Sequence, residues 1–453
     1  METQSCVENK RNESVTDRSE CSDAKASQTM FSRANVEAQE SKIRLVDSDE
    51  ETGLDLFCYN RCSNEEDDFV KHCRGLVFHG DTLVMKAFPY TTEYSQGDST
   101  LGEVLSDFKK WSFFSAYEGA LLRLFYFSGR WFLSTHRKLN AFRSKWASRE
   151  SFGTLFKRSL DNEIVTNQDL ASRLADGENI LDRFQNSLDK SKQYMFLLRN
   201  CSDNRIVCAP PATGEPLVFH VGTFVNGELT MDDNIGLHYP ESHRFINVDE
   251  LVHFIETEVD PKNRQGVVCF GPENRQIKVL HADYMEMFRA RGNEPSVKFR
   301  YLQVRMNKKM VDMLYGLYPD LASTFDDYEN TIYDIARGIY RAYVQRFIKK
   351  RYVTVPKEEY LVINECHSWH LTDRENNRVN LDRVIQMLNK QPPTNLNHMI
   401  RRFKIEQAKK QTTVPRAVKG SCNNSATNSP AITGMVGPEP MVLKRLLPPR
   451  LQQ

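Results

Sequence analysis

The sequence predicts an α+β protein in which a domain of mainly antiparallel strands precedes an all-helical domain, with a disordered tail at each end. Short β-branched and aromatic runs, separated by Gly, Asn and Asp, fill residues 51 to 285. After Gly292 the apolar residues instead recur at helical spacing. The chain has 453 residues, of which 40% are hydrophobic, and this is enough for more than one buried core.

The two ends differ from the rest in composition. Residues 1–50 are rich in Ser, Glu, Asp, Asn and Lys and nearly free of aromatic residues, so we expect them to be disordered. Residues 409–453 are low in complexity, rich in Pro and Gly, and basic, which predicts a second disordered tail. The folded part is therefore expected to comprise a strand-rich domain at 51–290 and a basic helical domain at 291–408.

The strand-rich region contains one clear hairpin and one interruption. Ser128 and Gly129 separate two aromatic runs, which favours a tight turn between paired strands. Residues 147–193 have a helical composition and are expected to interrupt the strand series. The segments predicted as strands are GLVF, LVMKAF, ALLRLFYF, RWFLST, RIVC, LVFHVGTFV, GVVCF and IKVL.

The helical region contains a long amphipathic segment. Its apolar residues recur every three or four positions, while basic residues fall on another face. This spacing predicts a helix that buries one side and exposes a basic stripe. The apolar positions are Ile332, Ile335, Ile339, Tyr343 and Phe347.

Several functional classes are excluded by composition. No apolar run reaches the roughly 18 residues that cross a bilayer, and the charged N-terminus does not resemble a secretory signal. The ten cysteines form no CxxC pair, and the cluster from Cys366 to His370 has no second group of ligands. We therefore expect an intracellular protein, in the cytoplasm or nucleus, that is not secreted, has no membrane partner and holds no metal.

The net charge of +1 conceals a strong asymmetry. Residues 1–288 carry 33 basic and 45 acidic side chains, whereas residues 289–453 carry 28 basic and 15 acidic ones. An excess of positive charge in the C-terminal part indicates an anionic partner, of which nucleic acid is the first candidate. A solvated helical surface explains the charge alone equally well.

Two segments in the strand-rich region carry the first part of a family resemblance. The stretch from His72 to Tyr90 contains Arg74 and Gly75, and a later stretch contains Glu118 and Gly119. In this order they resemble the CRG-type segment and the DG of KxDG in ATP-dependent RNA ligases, a group of covalent nucleotidyltransferases. The KxDG lysine attacks the α-phosphate of a nucleotide, and its position here is Ala116.

Two further segments continue the resemblance in the expected order. YMFLLRNCSDNRIV is similar to the strand whose acidic residue holds the nucleotide sugar, and that position is Leu197. NRQGVVCF followed by QIKVL is similar to the metal-binding EGxV strand and the paired-lysine strand. Gln265 replaces the acid, Gln276 replaces the first lysine, and Lys278 keeps the second.

The resemblance implies an antiparallel-sheet nucleotidyltransferase domain, of ATP-grasp-like ligase type, whose catalytic groups are lost. We expect no catalytic residue and no cofactor, because phosphoryl transfer needs charges that this chain replaces with neutral groups. From about 55 to 405 the chain is also similar to the iridovirus immediate-early protein family. The degenerate nucleotide pocket is expected to comprise Arg74, Ala116, Glu118, Gly119, Leu197, Gln265 and Lys278.

The leading hypothesis is a viral early protein that binds RNA through phosphate contacts and base stacking. One alternative is an active ligase that uses another lysine, such as Lys86 or Lys138. Another is a scaffold for host or viral proteins, and a plain edge-strand role for Lys278 also stays open. The residues predicted to contact nucleic acid are Arg289, Arg291, Lys298, Arg300, Arg305, Lys308 and Lys309.

Overall fold

A computed structural model describes residues 31–412, except residues 87, 200, 202, 203 and 232. The described residues up to Phe403 form one compact unit, and the described residues of the second unit, which begins at Lys404, are helical. Most of the predicted tails, residues 1–30 and 413–453, therefore lies outside the described residues. Within these limits the α+β class is confirmed.

The first sheet begins inside the segment that we expected to be disordered, so the boundary at residue 50 is wrong. Helix α1 and strand β1 precede that boundary, and β1 pairs with β2. Phe31, Val36 and Ile43 are buried in one cluster with residues of β2 and β3. Three apolar anchors are enough to order a segment whose average composition is polar. The elements are α1 Arg33–Glu37, β1 Ile43–Asp49, β2 Leu54–Tyr59, α2 Asp68–His72, β3 Arg74–His79 and β4 Thr82–Met85.

Two five-stranded sheets follow the antiparallel four-stranded sheet β1-β2-β3-β4. One has the order β11-β10-β9-β7-β8 and the other β12-β6-β13-β14-β5, and the β5–β14 pair alone is parallel among the described strands. Short helices α3 and α7 flank them. The elements are β5 Thr92–Ser95, α3 Leu101–Val104, β6 Ser112–Ala116, β7 Gly119–Phe127, β8 Arg130–Ser134, β9 Gln193–Arg199, β10 Val218–Val225, β11 Glu228–Thr230, β12 Ser242–His243, α7 Val248–Thr257, β13 Gly266–Phe270 and β14 Gln276–Leu280.

The predicted hairpin and the predicted helical interruption are both confirmed. Strands β7 and β8 pair in register around Ser128 and Gly129, which take φ angles of 47° and 85°, as a tight hairpin turn requires. Phe156 and Phe184, from the inserted helices, pack on Phe196 of β9 with ring centroids 5.1 and 6.1 Å away. The inserted helices are α4 Phe152–Thr166, α5 Gln168–Arg173 and α6 Ile180–Asn186.

Two strand predictions need correction. The segment Arg205–Cys208 is a loop, because the backbone N–H groups of Val207 and Cys208 bind a carboxylate instead of a neighbouring strand. Lys278 does not guard a sheet edge, because β14 is paired on both sides, with β13 and with β5.

The helical region has its own core around the long amphipathic helix α11. Ile332, Ile335, Ile339 and Tyr343 are buried as the spacing predicted, while Phe347 is partly buried in a π-helical turn, Val344–Ile348. None of the described helices is long and apolar enough to cross a bilayer. The helices are α8 Ala282–Arg291, α9 Val297–Val304, α10 Lys308–Leu317, α11 Ala322–Tyr343, α12 Lys357–Thr372, α13 Leu381–Asn389 and α14 Pro393–Thr412.

Candidate functional site

All seven residues predicted for the pocket line one cavity of about 280 Å³. Its walls come from both five-stranded sheets and from α8. The size is at the small end of the range for sites that hold small molecules. Most of the lining is apolar, with Phe114, Val268 and Phe270 among the side chains that form it.

Two glycines let the strands around the cavity approach closely. A Cβ atom at Gly119 would lie 2.4 Å from the carbonyl oxygen of Leu198, and one at Gly266 would lie 2.1 Å from that of Val279. Gly266 also has a φ of 148°, which side chains rarely allow. Both glycines of the motifs are therefore required by packing, whatever the cavity binds.

Position 116 lies at the end of β6 and faces the cavity with only a methyl group. Ala116 is 3% exposed, and its backbone pairs with Gly266. Its carbonyl oxygen accepts a hydrogen bond of 2.8 Å from the Gln265 N–H. The strand is thus held in register, and no neighbouring residue can bring an amine to this point without shifting it.

A continuous chain of hydrogen bonds crosses the cavity wall. Lys278 Nζ donates to Gln265 Oε1 over 2.9 Å, and Gln265 Nε2 donates to the Tyr284 hydroxyl over 2.6 Å. The Tyr284 hydroxyl donates in turn to Glu118 Oε1 over 2.9 Å. The amide at position 265 is needed at this point, because a carboxylate could accept from Lys278 but could not donate to Tyr284.

Glu118 joins the cavity to the loop after β9. Its carboxylate accepts from the backbone N–H groups of Val207, at 3.0 Å, and Cys208, at 2.9 Å. On the other side of this loop, the Tyr318 hydroxyl donates to the carbonyl oxygen of Ile206, and it accepts a 2.8 Å hydrogen bond from Arg291 Nε. The loop is therefore held by hydrogen bonds on both sides, by Glu118 next to β7 and by Tyr318 at the end of α10.

Burial controls the protonation of these groups. It raises the pKa of Glu118, although the hydrogen bonds it accepts oppose the shift, and it raises the pKa of Tyr284 well above the usual value. It lowers the pKa of Lys278, whose ammonium lies 4.0 Å from Glu93 Oε1. The hydrogen-bonded chain thus connects the partly buried Lys278 to the buried Glu118 through an amide and a hydroxyl group.

The charges that line the cavity nearly cancel. Arg74, Lys278 and Arg289 are basic, and Glu93 and Glu118 are acidic, so the described lining carries a balance of one positive charge. Such a balance does not offset the several negative charges of a triphosphate.

The positions of the sugar-binding acid and of the first paired lysine are neutral in the cavity. Leu197 packs among apolar side chains of both sheets, and Gln276 Oε1 accepts from the Thr91 hydroxyl over 2.9 Å. Neither side chain carries a charge that could hold a ribose or a phosphate.

Neither alternative lysine reaches the cavity. Lys278 is the only lysine among its described lining residues. Lys86 Nζ lies 4.2 Å from the ring centre of Phe31, and Lys138 Nζ forms an ion pair of 3.1 Å with Asp47. The hypothesis of a displaced nucleophile at either position therefore loses its geometric basis.

Two of the arginines predicted to contact nucleic acid, Arg291 and Arg300, form internal hydrogen bonds. Arg291 is 1% exposed, and besides Tyr318 it binds the carbonyl oxygens of Gly292 and Glu294. Arg300 binds the carbonyl oxygens of Ala290 and Arg289. These side chains cap the end of α8, so their charge faces backbone carbonyls.

The remaining members of the predicted set do not form a single surface. Arg305 pairs with Glu329 at 2.6 Å and is 9% exposed, while Lys309 pairs with Glu286 at 2.9 Å and Lys308 with Asp312 at 3.5 Å. Arg289 is exposed and lines the cavity, whereas Lys298 lines a separate shallow depression with Arg401.

The cluster from Cys366 to His370 lies on α12, where Cys366 is buried in the helical core. Within residues 31–412 as described, no group of three or more His, Cys, Asp and Glu side chains is arranged to hold a metal ion.

Sequence reasoning missed Tyr284 and the loop around Val207. The signal was present in Gln265, because a buried amide has a donor end and an acceptor end and needs a partner for each. The identity of those partners depends on contacts between residues that are far apart in sequence.

Comparison with known proteins finds viral proteins that are similar to this chain. The immediate-early protein ICP-46 homolog of Invertebrate iridescent virus 6 is 28% identical over 337 residues, covering 71% of this chain and 72% of that protein. The homolog in Invertebrate iridescent virus 3 is 25% identical over 397 residues, covering 83% and 80%. This chain is a relative of the viral ICP-46 immediate-early proteins. No protein-family model matches it.

This relative of the ICP-46 proteins also has a more distant match of a different kind. A protein of Autographa californica nuclear polyhedrosis virus, described as a bifunctional polynucleotide kinase/RNA ligase, is 23% identical over 299 residues. The match covers 61% of this chain and 39% of that protein. The expected relation to the RNA-ligase-like superfamily is thereby confirmed.

The solved structures that match this chain include ATP-dependent ligases. An archaeal ATP-dependent RNA ligase has a TM-score of 0.35 and 11% identity, with 85% of this chain and 80% of that chain covered. An ATP-dependent DNA ligase from Aquifex aeolicus has a TM-score of 0.34 and 13% identity, with 73% and 85% covered.

Proposed function

We propose that this protein is a non-catalytic, RNA-ligase-like viral early protein that works inside infected cells by binding RNA. The observation that carries the first half of this proposal is the methyl group of Ala116 at the end of β6. It faces a cavity whose only described lysine, Lys278, is held by Gln265.

The chemistry argues against nucleotidyl transfer at several points. A covalent intermediate needs an amine at position 116, and a methyl group cannot form a phosphoramidate. Leu197, Gln265 and Gln276 stand where the resemblance implies charged groups, and a bound metal would find no carboxylate at position 265. Each loss is independent of the others, and all favour the same conclusion.

RNA is the proposed ligand because of where the charge lies. Residues 289–453 carry 28 basic against 15 acidic side chains. Several of these basic residues form hydrogen bonds or ion pairs within the protein. The other, exposed cations of the helical region can attract phosphate.

Labelling with nucleotide tests the loss of chemistry. The purified protein is incubated with α-labelled ATP or GTP and a divalent metal and then run on a denaturing gel, with an active RNA ligase as positive control. We expect no label on this chain. A covalent adduct would overturn the non-catalytic half of the proposal, because a phosphoramidate survives denaturation.

Gel-shift measurements across a range of salt concentrations test RNA binding. We expect binding at low ionic strength that weakens as salt rises, as phosphate contacts require. Absence of binding at low salt would refute this half of the proposal. Partners that copurify equally well after nuclease treatment would support a protein scaffold instead.

A further inference from the structure

A dense run of positive charge lies at the end of helix α11. Between Ala336 and Tyr352 the sequence contains six basic residues and no acidic residue. Three of them are consecutive and exposed: Lys349, Lys350 and Arg351. None of these three side chains takes part in an ion pair with another described residue.

The backbone ends the helix in an unusual way at this point. The Lys349 N–H donates to the carbonyl oxygen of Val344 over 2.9 Å, which closes the wide π turn. Lys350 then takes a φ of 56°, in the left-handed region. Together they stop the helix and leave the basic run on an exposed connection before α12. Wide helical turns of this kind often occur at functional sites.

Aromatic rings surround the same point. The His367 ring stacks on Phe347, with ring centroids 3.8 Å apart and planes 21° apart. Burial lowers the pKa of His367, and the neighbouring His370 and the charges of Lys350 and Arg374 lower it further. Lys349 and Lys350 follow Phe347 by two and three positions in the chain, so the basic run begins next to the stacked pair.

Tyr352 completes the group. Its side chain is 89% exposed, a large value for an aromatic residue, and the adjacent Ile348 is 63% exposed. An exposed aromatic ring next to a cationic run is the combination that binds single strands, because the cations attract phosphates and the ring stacks on a base.

We infer that this patch, formed by Lys349, Lys350, Arg351, Tyr352 and His367, is the surface on which a single strand of RNA binds. The inference rests on the proposed function and locates its binding surface away from the cavity. The patch takes the place of the RNA-binding surface predicted from the basic residues before α11, because most of those residues form internal contacts. Duplex RNA fits less well, since its bases are already stacked on one another and leave Tyr352 without a partner.

Fluorescence anisotropy with a labelled, unstructured RNA of about 16 nucleotides tests the inference. The full chain is titrated between about 50 and 200 mM salt. The first variant combines Lys349→Gln, Lys350→Gln and Arg351→Gln. Its control combines Lys109→Gln, Lys262→Gln and Lys390→Gln, three exposed lysines elsewhere that remove the same charge.

We expect the plot of log affinity against log salt to be less steep for the triple variant, by about 2 in the magnitude of its slope. Each phosphate contact to a single strand contributes roughly 0.7. The control should keep the wild-type slope. Tyr352→Ala should weaken binding at least about fivefold with the slope unchanged, and Tyr352→Phe should restore it.

The outcomes separate this inference from the proposed function. If the wild type fails to bind RNA at low salt, the proposed function fails. If the wild type binds and the two triple variants match each other in slope, RNA binds elsewhere and the inference fails alone. Equal affinity for DNA of the same sequence would overturn the assignment to RNA.

Discussion

At the scale of single residues, the buried polar side chains around the cavity hydrogen-bond to one another and to nearby backbone groups. Glu118 binds two backbone N–H groups and a tyrosine, and Gln265 connects that tyrosine to Lys278. Each of these side chains therefore has its hydrogen-bond partners within the protein. Burying a polar group without a hydrogen bond costs about 2–7 kcal/mol. Because these groups bond to one another, they can stay buried without a bound ligand.

Restoring the lysine alone should not restore chemistry. In Ala116→Lys we expect no covalent label from α-labelled nucleotide, because Leu197, Gln265 and Gln276 still provide no charge for sugar, metal or phosphate. Labelling on a denaturing gel checks this, with Ala116→Arg as a control of similar bulk that cannot act as an amine nucleophile. A label on the lysine variant alone would mean that the cavity still binds nucleotide productively.

Removing the Tyr284 hydroxyl should break the chain of hydrogen bonds. Tyr284→Phe leaves Gln265 Nε2 and Glu118 Oε1 each without one partner, and we expect it to lower the free energy of unfolding by about 1–3 kcal/mol. Urea unfolding followed by circular dichroism measures this. Tyr352→Phe, at an exposed ring, is the matched control and should have almost no effect. Equal stability of both variants would contradict the network.

At the scale of elements, strand spacing is set by glycine as much as by the hydrophobic pattern. β7 starts at Gly119, where the neighbouring strand β9 leaves no space for a side chain. This requirement accounts for one motif residue without reference to nucleotides.

A methyl group at Gly119 should therefore distort the sheet. We expect Gly119→Ala to lower the free energy of unfolding by about 1–3 kcal/mol or more, because the new Cβ would lie 2.4 Å from a backbone oxygen that cannot move aside. Thermal denaturation checks this. Gly102→Ala, in helix α3 with open space around it, should be neutral or slightly stabilising. A neutral Gly119→Ala would refute the close approach.

Sequence order predicted the seven cavity residues, because glycines and strand patterns are local signals. It could not predict that Arg205–Cys208 is a loop, since its ligand Glu118 is 89 positions from Val207. Nor could it predict that Arg291 is buried, because amphipathic spacing does not reveal which carbonyl groups a long side chain reaches. The N-terminal boundary failed because average composition conceals a few well-placed apolar residues.

At the scale of the whole molecule, buried histidine makes stability depend on pH. His220 on β10 is fully buried, its Nε2 lies 2.9 Å from the Thr223 hydroxyl, and its ring lies 4.6 Å from that of Tyr239. Burial lowers its pKa to about 4, although the charge of Asp233 opposes the shift. The folded protein thus holds this imidazole neutral where an unfolded chain would protonate it.

Acidification should therefore destabilise the fold. Since the pKa is lower in the folded state, the unfolded state binds more protons between about pH 6.5 and 4, and stability falls as pH falls through that window. The loss from His220 is about 3 kcal/mol. Urea unfolding midpoints at pH 7 and 4.5 measure it. His220→Gln should flatten the dependence and His253→Gln, at an exposed site, should not; identical slopes for both would contradict this account.

The loop that is fastened on both sides, by Glu118 and by Tyr318, has a mechanical consequence. A motion that separated the strands from the helices would have to break the hydrogen bonds of this loop each time it occurred. These contacts favour a fixed arrangement of the strands and helices around the cavity, and Glu118, next to the required Gly119, forms one of them.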